Sequence, residues 1–405
     1  MNNYYADLHI HLGASSTGKP VKITASRKLI FSAVIDECLN RKGIDIAGIV
    51  DCAAPSVISD IEKLISKGEL YELPDGGFLH KDKLLVILAS EIEASEKNGR
   101  VSHHIAYFPF FRQIKEFSRA MKGHIKNIEL SSQSSGLTCS ELSELISSCG
   151  GIHVPAHIFT PHKSIFGRVT SKLTDIFTPE QIESIPAMEL GLSADTEIGD
   201  RLSELSAFSF LSSSDAHSLP KIAREYTVFN LERPSFKEIT LALHNSEGRS
   251  IFANFGMDPR LGRYHRSYCK TCDLVDEKPD PTLKCPNCGR NDGDFTLGVY
   301  DRVSCIADRE QSLSPDFRPP YYYQIPLEFV KGLSANMISH LIEVFGSEMA
   351  VLHTVSKQEL LTVVKPTVAN GIIKAREGKL ALASGGGGKY GAVASEKSGQ
   401  LSFKF

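Results

Sequence analysis

The stretch Asp7-Leu8-His9-Ile10-His11, close to the start of the 405-residue chain, decides the fold. Successive side chains of a β-strand point to opposite faces, so Asp7, His9 and His11 share one face while Leu8 and Ile10 pack behind them. Carboxylates and imidazoles gathered on one face are typical metal ligands. A catalytic ion needs further protein ligands and one open position for water, so other segments must complete the site.

Several short apolar runs later in the chain deliver an acid or a histidine near their carboxyl ends, and helix-length segments separate them. Parallel strands in an α/β barrel bring their carboxyl ends to a single mouth. We therefore predict an α/β barrel whose mouth collects these side chains. They are Asp51, Glu91, His103, His157, Glu189, Asp215 and His217.

The composition describes a globular chain without a membrane span. Apolar residues make up 41% of the sequence and charged residues 23%, and no apolar run approaches the roughly eighteen residues of a transmembrane helix. No signal peptide is visible at the N-terminus, so we expect a cytoplasmic protein. The net charge of -3 means that any nucleic acid must be contacted by local basic patches.

Four of the nine cysteines form two Cys-X-X-Cys pairs separated by twelve residues. Four thiolates presented by two tight turns are the ligand set of a tetrahedral structural zinc, which leaves no open position for a substrate. We predict a zinc ribbon that either braces neighbouring domains or contacts nucleic acid. Its ligands are Cys269, Cys272, Cys285 and Cys288.

Three polar stretches carry the candidate DNA contacts. Residues 13–22 form a basic loop over the presumed mouth, residues 256–266 form a basic linker, and residues 384–391 are glycine-rich. Lysine and arginine suit phosphate groups and tyrosine suits base stacking, although a solvated loop and a flexible linker explain the first and third stretches equally well. The candidates are Lys19, Lys22, Arg260, Arg263, Lys389 and Tyr390.

The C-terminal part of the chain carries helix signals. Residues 332–347 and 359–364 resemble a helix-hairpin-helix unit, whose turn presents backbone N–H groups to a DNA phosphate, but Ser334 stands where that motif commonly has its second glycine. Residues 400–405 begin like a peptide that binds a sliding clamp, but their spacing is imperfect and favours a frayed end strand. A sliding clamp is therefore kept only as a hypothesis.

The successive motifs of residues 1–250 resemble those of the polymerase-and-histidinol-phosphatase (PHP) superfamily. They are Asp7-Leu-His9-Ile-His11, Ser90-Glu91-Ile-Glu93, His103-His104-Ile-Ala-Tyr107, Ala156-His157 and Asp215-Ala-His217. The resemblance implies a distorted (βα)7 barrel with two or three metals at the strand ends. A bridging Glu91 fits the two-metal geometry that cleaves phosphate esters, and the donor mixture suits zinc, manganese or iron. The implied metal ligands are His9, His11, Glu91, His103, His157, Asp215 and His217.

Two departures from the PHP pattern affect a third metal position. Cys52 stands where the superfamily commonly has a His ligand, and residues 12–20 contain neither His nor Asp. The ligands of the metal pair are all present. We predict two divalent ions in the barrel (Zn, Mn or Mg), leave a third open, and predict one structural zinc in the four-cysteine site.

Beyond the barrel, the linker, the ribbon and the Gly-Gly-Gly-Gly-Lys-Tyr-Gly tail resemble the endonuclease Q family over essentially the whole chain. That family nicks DNA on the 5′ side of deaminated bases (uracil, hypoxanthine and xanthine) and of abasic sites. The resemblance implies a barrel over residues 1–250, a linker and zinc-binding domain over 251–300, and a helical region with the glycine-rich tail over 301–405.

The implied reaction is hydrolysis of the phosphodiester 5′ of the lesion by metal-activated water, with the lesion base extruded from the duplex. The candidate catalytic residues are Glu91, Asp195 and Asp215, although a helix N-cap explains Asp195 equally well. Two other functions fit parts of the sequence. The barrel alone would serve a small-molecule phosphatase, and the incomplete third site would suit a non-catalytic DNA-binding module.

Overall fold

The structure is a computed structural model that describes residues 1–276, 278, 281, 283–291 and 293–379, together with the backbone of strands Leu382–Ala383 and Ala392–Val393. The predicted DNA contacts Lys389 and Tyr390 lie outside the described residues, as does the clamp-like segment 400–405. None of the described helices combines the length and apolar character needed to cross a bilayer.

Strands and α-helices share the first 256 residues, with four strands in succession between α2 and α3. The strands are β1 (Asn2–Ile10), β2 (Ile46–Ile49), β3 (Tyr71–Glu72), β4 (Phe78–His80), β5 (Leu84–Ser95), β6 (Val101–Phe108), β7 (Ile152–Pro155), β8 (Ala187–Glu189), β9 (Ser209–Leu211), β10 (Tyr226–Leu231) and β11 (Ser250–Gly256). The α-helices are α1 (Phe31–Asp36), α2 (Pro55–Ser66), α3 (Phe111–Met121), α4 (Cys139–Ser148), α5 (Pro179–Ser184), α6 (Thr196–Gly199) and α7 (Phe236–Leu243).

The barrel is a ring formed by β1, β2, β5, β6, β7, β8 and β9. Strands β1, β2 and β5 pair in parallel, as do β8 and β9. Single backbone links complete the ring, because the Ile158 N–H donates to the Glu189 carbonyl and Ala216 bridges Ile10 of β1. The predicted distorted barrel is therefore confirmed, and β10 and β11 extend its sheet beyond the far edge of β1.

Strand β6 departs from the expected arrangement because it runs antiparallel to both β5 and β7. A tight turn between Glu96 and Arg100 reverses the chain after β5. His103 was expected near the carboxyl end of its strand, but it lies near the amino end of β6. Glu91 lies inside β5 rather than after it. The reversal still brings both side chains to the mouth, because the start of an antiparallel strand lies beside the ends of its parallel neighbours.

The helix boundaries follow local sequence signals. Helix α2 begins at Pro55, whose missing N–H costs nothing at a first helical position, and the Ser235 hydroxyl accepts a hydrogen bond from the backbone of α7. Helix α1 ends as an α-helix at Asp36 and continues as a π-helix, Glu37–Lys42. Gly43 stops it with a φ of 76°, which a glycine adopts readily.

The barrel strands share one buried apolar cluster with helix α7. Leu8 of β1, Leu85 of β5, Ile105 of β6 and Val154 of β7 belong to this cluster, and Phe236 packs there from α7. Because these side chains come from successive strands of the ring, burying them fixes the strands relative to one another. The polar side chains at the mouth therefore sit on a packed, apolar base.

The chain beyond Gly256 forms a small sheet followed by helices. The strands are β12 (Tyr268–Cys269), β13 (Leu274–Val275), β14 (Phe295–Thr296), β15 (Tyr321–Tyr323), β16 (Leu382–Ala383) and β17 (Ala392–Val393). The helices are α8 (Val299–Ile306), α9 (Ala335–Phe345), α10 (Glu348–His353), α11 (Lys357–Val363) and α12 (Pro366–Arg376). Strand β15 pairs in parallel with β11, so the barrel sheet takes one strand from the part predicted as the C-terminal region.

Buried ion pairs join the C-terminal part to the barrel. The Arg318 guanidinium lies 2.8 Å from Asp200 and 3.6 Å from the centre of the Phe210 ring, and the Lys42 ammonium lies 2.7 Å from Glu348 of α10. All four charged side chains are nearly inaccessible to solvent. Removing one partner from such a pair leaves a buried charge uncompensated, so these contacts fix the position of the C-terminal part.

Candidate active site

Two histidines of the opening motif meet at the centre of the barrel mouth. The Nε2 atoms of His9 and His11 lie 3.3 Å apart. On the opposite ring edges, Nδ1 of His9 donates to Glu189 at 3.0 Å and Nδ1 of His11 donates to Asp51 at 3.1 Å. When a carboxylate accepts a hydrogen bond from Nδ1–H, the lone pair on Nε2 is available for a cation. Metal-binding histidines are usually oriented by a hydrogen bond of this kind.

The predicted ligands form two groups whose candidate ligand atoms lie within 4.8 Å of one another. His9, His11 and Asp215 form the first, in which the Asp215 carboxylate lies 3.4 Å from Nε2 of His11. In the second group, Glu91 lies 2.8 Å from Nδ1 of His103 and 3.5 Å from Nε2 of His157. Three donors with an open side are what a catalytic divalent ion needs.

The Glu91 carboxylate joins the two groups. Its Oε1 lies 3.5 Å from Nε2 of His9, and its Oε2 lies 3.5 Å from Nε2 of His11. This placement fits the predicted bridge between two ions. His217 lies beside the first group, with Nδ1 3.5 Å from Asp215 and its ring 4.6 Å from that of His11.

Neighbouring positive charges keep the Glu91 and Asp215 carboxyl groups ionised. Burial opposes ionisation of Glu91, but His103 and Lys22 outweigh it and hold the pKa of this carboxyl well below its usual range. Burial likewise opposes ionisation of Asp215, and His9 with its neighbours holds this pKa well below the usual range too. Both groups are therefore anionic at neutral pH, as metal ligands must be.

The backbone is strained at two of the ligands. His157 and Asp215 adopt φ angles of 32° and 45°, in the left-handed region that residues other than glycine seldom occupy. The His157 N–H donates to Glu189 at 3.0 Å, which helps to hold this conformation. Gly191 packs so closely that a Cβ atom there would lie 2.7 Å from the Cβ of His157. Such strain is typical of functional positions.

A cavity of about 530 Å³ opens from the metal-ligand groups. His157, Asp215 and His217 line one side, and Arg263 and Tyr264 of the basic linker line another. Ser213 also lines the cavity, and its hydroxyl oxygen is buried without a hydrogen-bond partner among the described residues. A buried polar group of this kind usually binds something, because leaving it unsatisfied costs about 1–3 kcal/mol.

The four predicted zinc ligands converge in the small sheet of β12, β13 and β14. The sulfur atoms of Cys269 and Cys288 lie 3.8 Å apart, and those of Cys272 and Cys285 lie 3.9 Å apart. Ligands about 2.3 Å from a shared tetrahedral zinc would be separated by nearly this distance. The four thiols therefore fit a structural zinc.

Two curated relatives resemble the chain in sequence, whereas no protein-family model matches it. The uncharacterized protein YqxK of Bacillus subtilis is 42% identical over 396 residues, which is 97% of this chain and 100% of that protein. The uncharacterized protein MJ0043 of Methanocaldococcus jannaschii is 32% identical over 315 residues, which is 73% of this chain and 37% of that protein.

Solved structures decide the family. The crystal structure of the lesion-specific endonuclease PfuEndoQ from Pyrococcus furiosus matches with a TM-score of 0.81 and 30% identity over 97% of this chain and 95% of that one. The chain belongs to the endonuclease Q family. Endonuclease Q bound to a 27-mer duplex with an abasic lesion at its active site matches with the same TM-score and identity over 96% of both chains. Family membership therefore makes this chain an endonuclease.

The predicted DNA contacts within the described residues occupy different environments. Lys19 is exposed, with 62% of its side chain accessible, and lies 3.8 Å from Glu129. Arg260 is paired with Asp258 at 2.6 Å, and Arg263 lines the cavity. Lys22 differs from the prediction, because its side chain turns inward and its ammonium lies 2.7 Å from Glu91. It cannot contact a phosphate on the surface while it holds that position.

Asp195 is a helix cap in the structure rather than a metal ligand. Its side chain accepts a hydrogen bond from the Ile198 N–H at the start of α6 and another from the Tyr323 hydroxyl at 2.7 Å. It belongs to neither ligand group. The alternative N-cap interpretation therefore explains this residue, since Asp satisfies the free N–H groups of a first helical turn.

Three supporting residues have roles that the sequence analysis did not assign. Asp51 and Glu189 were noticed at strand ends, but their hydrogen bonds to histidines need the folded chain. The Asp7 carboxylate accepts the Ser214 and Ala223 N–H groups, so it holds the loop that carries the Asp215 ligand. Asp7 was expected to point with the histidines, and its carboxylate contacts this loop instead.

Proposed function

We propose that this member of the endonuclease Q family cleaves DNA on the 5′ side of deaminated bases and abasic sites. The observation that carries the proposal is a pair of metal-ligand groups sharing Glu91 beside a cavity of about 530 Å³. A cavity of this size is in the range that holds small organic ligands, including a nucleoside. The lesion-specific endonuclease and the abasic-site complex among the similar structures support the same substrate class.

The residues proposed to hold the catalytic ions are His9, His11 and Asp215 in one group and Glu91, His103 and His157 in the other, with His217 beside the first. Divalent ions held there would supply Lewis acidity for phosphodiester hydrolysis. Arg224 donates to the Ser214 carbonyl at 2.8 Å and lines the cavity. It would steady the Asp215 loop and add positive charge near a bound phosphate.

An extruded base would find both stacking and polar partners in the cavity. The Tyr264 and His162 rings meet edge to face with their centres 5.4 Å apart, and both line the cavity. Ser213 lines the same cavity and has a buried hydroxyl without a hydrogen-bond partner among the described residues. Bases removed from the stack are held by such aromatic walls and polar groups, and a mispaired deaminated base costs less to remove.

A second cavity favours a long polyanion over a small phosphate ester. It has a volume of about 800 Å³ and lies between the barrel mouth and the ribbon. Its lining includes Arg100, Lys163, Arg168 and Arg302. His162 lines both this cavity and the one at the metal site, so the two are adjacent. We infer that the DNA backbone continues along this basic surface from the active site.

The decisive experiment is a nicking assay on end-labelled duplexes that carry uracil, hypoxanthine, xanthine or an abasic site at one position. The enzyme is stripped with a chelator and supplied in turn with Mg²⁺, Mn²⁺ or Zn²⁺. We expect one product, cut 5′ of the lesion, and no cut in the unmodified duplex. Hydrolysis of small phosphate monoesters without nicking would instead establish the small-molecule phosphatase.

A further inference from the structure

A lysine is buried against the acidic side of the catalytic centre. The Lys22 ammonium lies 2.7 Å from Oε2 of Glu91, and only 11% of its side chain is accessible. It also donates to the Ser132 hydroxyl, which in turn bonds the same Glu91 oxygen. The Ser131 hydroxyl bonds the neighbouring carboxylate of Asp51. Lys22 therefore belongs to a network of two carboxylates and two hydroxyls.

Backbone hydrogen bonds hold Lys22 in this position. Its own N–H donates to the Leu12 carbonyl at 2.9 Å, immediately after the His11 ligand, and the Val21 N–H donates to the Gly13 carbonyl at 3.1 Å. Neighbouring Val21 is fully buried. The loop from residue 13 to residue 22 thus folds back on the end of β1, and its last residue is held beside the metal ligands.

Among the described residues on the same side of the centre, the side chains of Asp51 and Cys52 are already engaged in hydrogen bonds. The Cys52 thiol is fully buried and donates to the Ile49 carbonyl at 3.1 Å, so it is turned away from the cluster. Asp51 already accepts hydrogen bonds from His11 and from the Leu12 N–H. The Lys22 ammonium already contacts two of the remaining oxygen atoms, Oε2 of Glu91 and the Ser132 hydroxyl.

We propose that Lys22 is a built-in cation of the catalytic centre, which occupies the position of a third metal ion and limits the barrel to two. Its fixed positive charge balances Glu91 and Asp51 and orients the shared Glu91 carboxylate toward both ligand groups. Lys22 is thus a positioning residue. The proposal rests on the metal centre of the proposed function and does not require any particular DNA lesion.

Counting bound ions tests this role independently of activity. Full-length enzyme stripped of its barrel metals is titrated with Mn²⁺, bound Mn²⁺ is counted by electron paramagnetic resonance, and zinc is measured separately. We expect two Mn²⁺ per wild-type chain. Replacing Lys22 by Met removes the charge and keeps the length, so Lys22→Met should bind a third Mn²⁺ or bind Mn²⁺ about tenfold more tightly, because a repelling charge is gone.

Three further variants make the result specific. Lys22→Arg keeps the positive charge and should bind two Mn²⁺ with nearly wild-type affinity. Lys67→Met is the matched control, because Lys67 lies exposed at the end of α2 with its ammonium 3.9 Å from Glu69, away from the metal-ligand groups. Lys22→Gln replaces Lys22→Met if circular dichroism shows that the latter is unfolded.

Three Mn²⁺ bound to the wild-type chain would overturn the proposal, and this count needs no variant. A neutral Lys22 variant with the wild-type number and affinity of Mn²⁺ would overturn it as well. Binding of two Mn²⁺ by a wild-type enzyme that nicks none of the lesion duplexes would refute the proposed substrate and leave the role of Lys22 supported.

Discussion

The barrel mouth and the zinc ribbon hold their metal ligands in opposite ways. The barrel ligands are spread from residue 9 to residue 215, and most are buried. Protein groups orient them, as Glu189 does for His9. The ribbon ligands lie within residues 269–288, where Cys269 belongs to a two-residue strand and Cys288 is exposed.

This difference separates two sources of structural stability. The barrel mouth is shaped by the apolar cluster beneath it and by hydrogen bonds among its own side chains, so it should keep its geometry when the ions are removed. The ribbon has little core of its own, since its three strands have two residues each. Its folded state should depend on the zinc, as in other small zinc-binding units.

The largest effect should follow loss of a ribbon ligand. Cys285→Ser removes a buried thiolate from the zinc site, and zinc in such sites supplies about 10–16 kcal/mol toward folding. In enzyme whose barrel metals have been replaced by Mn²⁺, we expect the zinc content to fall from one ion per chain to none and the amides of strands β12, β13 and β14 to lose protection from hydrogen exchange. The barrel should keep its own thermal transition.

Cys305→Ser is the matched control for this variant. Cys305 is an exposed cysteine in helix α8, outside the four-cysteine group. It should retain both the zinc and the protected amides. Full protection of the ribbon amides in zinc-free Cys285→Ser would contradict the view that zinc holds this region together.

The barrel should respond to loss of a ligand with lost activity rather than lost structure. Asp215→Asn keeps the side-chain shape but removes the charge next to His9 and His11. Loss of one charge-stabilising group in an active site costs about 10²–10³ in rate, so we expect nicking to fall by that factor with little change in the melting temperature. Asp316→Asn, at an exposed position, is the control, and unchanged nicking by Asp215→Asn would exclude this metal site as the catalytic one.

The sequence was sufficient to predict the barrel and the convergence of these side chains at its mouth because their signals are local. An alternating strand with histidines, such as Asp7 to His11, is visible without any tertiary contact. The same holds for the two Cys-X-X-Cys turns and for helix α4, whose capping box joins Thr138 and Glu141. Each of these features is fixed by residues only a few positions apart.

The errors concern residues whose roles depend on distant parts of the chain. Lys22 looks like a surface lysine until the fold brings it to Glu91, which is 69 residues away. The direction of β6 depends on pairing with both its neighbours. By residue type, Asp195 is equally suited to bind a metal ion and to cap a helix. The hydrogen bond that its carboxylate accepts from the Ile198 N–H identifies it as a helix N-cap.

A smaller effect should follow loss of a group that orients a barrel ligand. Glu189 accepts from His9 and from the backbone of His157, so it supports one ligand in each group. Removing such a partner lowers metal affinity by about 10- to 100-fold. We expect Glu189→Gln to weaken Mn²⁺ binding by this factor in a titration of the stripped enzyme.

Glu183→Gln is the same substitution at an exposed position of α5, and it should bind Mn²⁺ as the wild type does. Equal Mn²⁺ affinity in Glu189→Gln would show that the core alone orients the histidines. The barrel and the ribbon would then differ even more, because the apolar core of the barrel would orient its metal ligands without hydrogen bonds to carboxylates.

The smallest effect concerns the docking of the C-terminal helices on the barrel. His353 of α10 packs with its ring centre 4.9 Å from those of Tyr5 and Phe255, and its Nε2 is hydrogen-bonded to the Tyr226 hydroxyl. Burial, with some help from Arg376, lowers the pKa of His353 to about 4. The folded protein therefore keeps this imidazole neutral at pH values where the unfolded chain is protonated.

The sign of the pH dependence follows from this shift. Above about pH 6.5 the imidazole is neutral in both states, and between about pH 6.5 and 4 only the unfolded chain takes up the proton, so the free energy of unfolding falls as the pH falls. At pH 5 the loss amounts to about 1–2 kcal/mol. His353→Gln should therefore show a smaller drop in melting temperature between pH 7.5 and pH 5 than the wild type. His340→Gln is the control, because that side chain is 61% exposed, and it should show the wild-type drop. An equal drop in all three proteins would show that protonation of His353 does not affect the docking of these helices.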